Sequence, residues 1–132
     1  MQILIDTQIF LWLFGNSSRI SNNVRNLLID PNNTIYFSAS SAWEIAIKYG
    51  NGKLQLPDKP EIFVPDRMKR AKFVWLEINH EHGLAVSKLP QIHKDPFDRL
   101  LITQAIFENL TLLSADSIFG NYSVNLIDAN TF

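Results

Sequence analysis

The chain contains no cysteine, which excludes disulfides and thiolate metal sites and permits a reducing compartment. No run reaches the roughly 18 to 20 consecutive apolar residues needed to cross a bilayer. The apolar N-terminus, Met1 to Gly15, lacks a positively charged start and a small-residue cleavage site, and Asp6 interrupts it. It therefore does not read as a signal peptide, and the expectation is a cytoplasmic protein without a membrane partner. A large excess of either charge is also missing. A formal net charge of -1 excludes a strongly basic nucleic-acid coat protein. It leaves room for a nuclease, because an acidic metal site offsets basic residues placed around it. Neither G-x-x-x-x-G-K nor G-x-G-x-x-G occurs, so no glycine-rich loop is available to cradle phosphates. Repeats, low-complexity tracts and a Gly/Ser linker are absent too, which points to one domain over residues 1–132.

What the chain does have is a globular balance, 46% hydrophobic and 19% charged residues, enough for one core. Ile3-Leu4-Ile5 is wholly apolar and ends at Asp6, the pattern of a central strand buried on both faces. Asp6-Thr7 then caps a helix that stops near Gly15. Ile20, Val24, Leu27 and Leu28 fall at helical spacing, and Thr34–Phe37 is a second strand. Ser38–Ser41 opens a helix through Tyr49, in which Ser41 and Glu44 have the spacing of a capping box. A helix from Pro60, a strand at Phe73–Leu76 and a short helix capped by Asn79 follow. His80 and His82 are two residues apart, which does not put them on one helical face as a zinc pair. Pro96 starts a helix to about Glu108, Leu110–Ser114 is a fourth strand, and Val124–Ile127 is an edge strand. Alternating strands and helices predict an α/β fold, a mostly parallel sheet flanked by helices on both faces.

Four acids share a placement in this scheme. Asp6 and Asp116 follow strands, while Glu44 and Asp98 are expected in the first turns of helices. Each alone is explained as a helix cap. Together they collect at the carboxyl rim of the sheet, where open parallel sheets bind ligands. Four carboxylates at one rim repel, and a hard cation with oxygen ligands relieves the repulsion. Mg²⁺ or Mn²⁺ suits that donor set and activates water against a phosphodiester. A covalent aspartyl-phosphate route is disfavoured, since Asp6-Thr7-Gln8 lacks a second acid two residues on. Lys48, Lys94 and Arg99 are the candidates to contact a nucleic-acid backbone.

The segments LIDTQIFLWL (4–13), SASSAWEIAIKYGNGKLQL (38–56), the His82 region leading to Leu89-Pro90, HKDPFDRLLITQA (93–105) and LLSADSIFGNY (112–122) resemble PIN-domain ribonucleases, and among them the VapC-type toxins of type II toxin–antitoxin pairs. HxDPFDR followed by LLxxQA is the specific part. The resemblance implies a PIN-like fold and a Mg²⁺- or Mn²⁺-dependent endoribonuclease, commonly a homodimer, neutralised by a cognate antitoxin. It implies Asp6, Glu44, Asp98 and Asp116 as metal acids, Ser114 as a group holding a carboxylate or water, and Asp95 as a cap or supporting group. Gln8 departs from the histidine usual there, which bears on RNA or antitoxin contacts rather than on the metal acids. An apolar excess at Phe10, Trp12, Leu13, Phe14, Trp43 and Ile47 also favours a dimer. The rival readings are a structure-specific DNA nuclease, for which 132 residues leave little room, and a catalytically inactive partner-binding module whose acids are all caps.

Overall fold

A computed structural model describes all 132 residues. Its centre is β1 (Gln2–Ile5), whose apolar residues alternate between two cores. Ile3 and Ile5 face the larger one, with helices α1 (Thr7–Phe14), α2 (Asn22–Ile29), α3 (Ala39–Gly50) and α4 (Pro60–Ala71). Leu4 faces the smaller one, against α6 (Pro96–Phe107), which also packs on the short α5 (His80–Ala85). Both faces are thus covered, which is why the strand reads as a continuous apolar run.

The sheet has five strands in the order β3-β2-β1-β4-β5, with β2 (Thr34–Ser38), β3 (Val74–Leu76), β4 (Thr111–Ser114) and β5 (Leu126–Asp128). Every pairing is parallel, so the expected mostly parallel sheet is wholly parallel. The chain steps outward from β1 through β2 to β3, then returns to the other side of β1 for β4 and β5. The strand order therefore reverses between β1 and β4. A crevice opens at the carboxyl ends of such a pair, and Asp6 and Asp116 follow these two strands.

The remaining carboxylates come from helices tied down at their starts. Ser38 at the end of β2 caps α3, accepting from the Ser40 amide at 3.0 Å. Its hydroxyl also donates to Gln104 Oε1 of α6 at 2.5 Å. Buried Gln104 in turn donates to the Glu77 carbonyl at 3.2 Å, locking α6 against β2 and the end of β3. Such fully bonded buried groups set one geometry. Two expectations are corrected here. Ser41 and Glu44 form no capping box, because α3 begins at Ala39 and Glu44 lies in its second turn. Phe10 is not surplus surface: it is fully buried and stacks on Phe37 at 4.2 Å.

Candidate metal centre

Asp6, Glu44, Asp98 and Asp116 line one open pocket of about 460 Å³, together with Asp95, Lys48, Thr7 and Gln8. Asp6 is the most buried member, with Glu44 close behind. It is the N-cap of α1, accepting from the Ile9 amide at 2.8 Å through Oδ1. Its Oδ2 accepts from the Ser114 hydroxyl at 2.5 Å. Ser114 Oγ also accepts from the Asp116 amide at 3.0 Å, so one hydroxyl couples the acids that follow β1 and β4. Asp116 caps the turn Ser117–Asn121 through Oδ1.

Glu44 has both oxygens held. Thr7 Oγ1 donates to Oε1 and Lys48 Nζ to Oε2, each at 2.6 Å. The bond to Glu44 is the main reason the Lys48 ammonium is held above its ordinary range. At α6 two acids divide the work. Asp95 is the cap, accepting from the Phe97 and Asp98 amides. Asp98 leaves its carboxylate to the pocket, where Oδ2 meets His93 Nε2 at 2.8 Å. His93, Asp95 and Asp98 bring ligand atoms within 4.8 Å of one another, close enough to share an ion.

Sequence reasoning missed Thr7 and His93 as site groups. Thr7 adjoins Asp6, and its hydroxyl was read only as part of a cap. His93 lies five residues before Asp98 on a loop, a spacing that predicts nothing until the loop is folded. Two of the expected phosphate contacts lie outside this pocket. Lys94 is exposed beside a neighbouring hollow. Arg99 is corrected outright: it is buried, and its guanidinium donates to the carbonyls of Pro90, His93, Val86 and Leu89. With its terminal N–H groups turned to the backbone, it lies outside the acidic pocket and is committed within the fold. His82 is also buried and fully used, bonded to the Asn79 amide, Gln104 and Glu108.

The donor set fits a hard divalent cation: carboxylate oxygens at the rim of a crevice, with one imidazole and no thiolate. The electrostatics fit as well. Burial, with added repulsion from Asp98 and Glu44, raises Asp6 to about 6 despite the bonds from Ser114 and Ile9. Burial also raises Asp98, with His93 opposing and Asp95 and Glu44 adding to the shift. A carboxyl raised in the folded state favours folding when protonated. The metal-free protein should therefore gain stability as pH falls from about 6 to about 4, by on the order of 3 kcal/mol from Asp6. Metal affinity should move the opposite way, weakening as protons compete. Melting curves between pH 4 and 7.5, with and without Mn²⁺, check both signs; a metal-free melting temperature that falls steadily from pH 7 to 5 contradicts the first.

Comparison with known proteins bears on the family and the fold. The PIN domain family matches residues 3–125. Ribonuclease VapC16 of Mycobacterium tuberculosis is 46% identical over 61 residues, which span 46% of this chain and 43% of that relative, less than half its length. Among solved structures, VapBC2 from Rickettsia felis, bound to a DNA fragment from their promoter, superposes with a TM-score of 0.74 at 20% identity, covering 96% of this chain and 98% of that one. FitAcB from Neisseria gonorrhoeae gives 0.69 at 16% identity, covering 98% and 99%. At those identities the likeness is one of fold.

Proposed function

Because this chain belongs to the PIN-domain family, we propose that it is a divalent-metal-dependent endoribonuclease, the toxin of a type II toxin–antitoxin pair acting in the cytoplasm. The observation that carries the reading is the gathering of five carboxylates around one open pocket at the switch point of the sheet. Asp6, Glu44, Asp98 and Asp116 would hold Mg²⁺ or Mn²⁺. The ion, when bound, supplies an activated water and neutralises charge building at the phosphodiester.

The chain's own residues do the positioning. Ser114 fixes Asp6, Thr7 fixes Glu44, and His93 orients Asp98. Lys48 keeps a half-exposed ammonium beside Glu44, where it can meet a phosphate oxygen of the substrate. The antitoxin is a proposed partner, and an apolar hollow of about 600 Å³ between α3 and α4, lined by Ala42, Ala46, Val64 and Trp75, suits an apolar segment of it. A second copy of the chain is the other proposed partner. Of the residues expected to favour it, Trp43 and Ile47 are exposed and Phe10 is not; Leu84, Ile106 and Phe107 are further exposed apolar side chains.

The test is cleavage of single-stranded RNA and DNA side by side with Mg²⁺, Mn²⁺ or chelator. RNA should be cut internally in either metal, and chelator should abolish cutting. Equal cutting of DNA favours the DNA nuclease, and no cutting at all favours the inert binding module.

A further inference from the structure

Trp43 is 58% exposed, although it is a large aromatic on a helix with a buried face. It stands edge-on to Phe97, ring centroids 5.2 Å apart at 75°. The pair bridges α3 and α6, and each ring is the chain neighbour of a proposed metal acid, Glu44 or Asp98. Beside it lies a hollow of about 400 Å³ lined by Trp43, Phe97, Pro96 and exposed Lys94. An aromatic pair next to a cation, carried by the same two helices that bring Glu44 and Asp98 to the acidic pocket, has the chemistry of a single-stranded nucleic-acid track.

We propose that Trp43 and Phe97 form a shelf on which one base of a single-stranded RNA stacks, next to the scissile phosphate, with Lys94 on the adjoining phosphate. The inference rests on the ribonuclease reading above. Stacking needs no hydrogen-bond readout, so the shelf grips any base and prefers those that stack strongly. It also demands an unpaired nucleotide, because a base held in a duplex cannot lie on a protein ring. The shelf would thus direct cutting to loops and open strands.

Steady-state cleavage of a single-stranded RNA in Mn²⁺ is the test, with Trp43→Ala, Trp43→Phe and Lys94→Gln beside the parent. Trp43→Ala should raise KM roughly ten- to a hundredfold with little change in kcat, and Trp43→Phe should restore most of it. Lys94→Gln should shallow the salt dependence of binding by about 0.7 in the log–log slope. An abasic nucleotide walked along the RNA should weaken parent binding at one position near the cut, and that position should lose its effect in Trp43→Ala. The abasic walk on the parent and on Trp43→Phe decides the matter even if Trp43→Ala folds poorly. A parent that cuts RNA while Trp43→Ala keeps its KM overturns the shelf alone. A KM change that tracks a halved mass in light scattering also overturns it, in favour of contact between copies. A parent that cuts no RNA overturns the shelf together with the ribonuclease reading.

Discussion

Asp98→Asn should lose at least about a hundredfold in metal-dependent RNA cleavage while remaining folded. Groups that merely support metal ligands are worth roughly ten- to a hundredfold, and a ligand is worth more. The substitution separates holding a metal from capping a helix. Asparagine caps about as well as aspartate, and at α6 the cap is Asp95, not Asp98. Asp6→Asn and Asp116→Asn keep an oxygen to accept from the Ile9 and Ile118 amides. Glu44→Gln keeps an acceptor for the Thr7 hydroxyl. All four should therefore fold. Asp6→Asn should even melt higher than the parent at neutral pH without metal, since it removes a buried charge that burial and its neighbours disfavour. Circular dichroism together with cleavage rates reads both effects. Near-parental cleavage by Asp98→Asn would remove that residue from the site.

Arg99→Met should cost about 3 kcal/mol of stability, some 10 °C in melting temperature, since it strips donors from a cluster of buried carbonyls. Arg99 gathers the backbone of Val86, Leu89, Pro90 and His93, and the His93 ring at the end of that loop meets Asp98. Amide exchange should thus quicken across residues 86–95, and cleavage should fall with it. Arg99→Lys should recover part of the loss, because an ammonium has three donors but lacks the planar fork. If Arg99 instead contacted RNA phosphates, Arg99→Met would leave stability intact and shallow the salt dependence of RNA binding. The two accounts give opposite results in the melting curve.

The sheet and the acid cluster were legible in the residues because each rests on local chemistry. Ile3-Leu4-Ile5 has the pattern of an inner strand, and Asp6, Asp95 and Asp116 announce themselves as caps. Four acids at equivalent rim positions then predict a shared pocket, and Asp6, Glu44, Asp98 and Asp116 do line one. What was not legible depends on partners distant along the chain. Arg99 reads as a phosphate contact because its true acceptors lie 6 to 13 residues upstream in a loop without periodicity. Ser41 and Glu44 looked like a capping box because Ser38 is an equally good cap, and only the end of β2 selects between them. The last strand was read at Val124–Ile127; its pairing with Leu112–Ser114 places it at Leu126–Asp128.

The central claim is that these carboxylates bind one divalent ion site, and calorimetric titration of Mn²⁺ into the purified, chelator-stripped protein tests it most directly. The parent should bind Mn²⁺, its melting temperature rising with occupancy by about 2.7 kcal/mol of stabilisation at 100 times the dissociation constant, and Asp6→Asn and Asp98→Asn should each weaken that binding at least about tenfold. A parent that takes up no Mn²⁺ in the millimolar range, or variants that bind as the parent does, would contradict it.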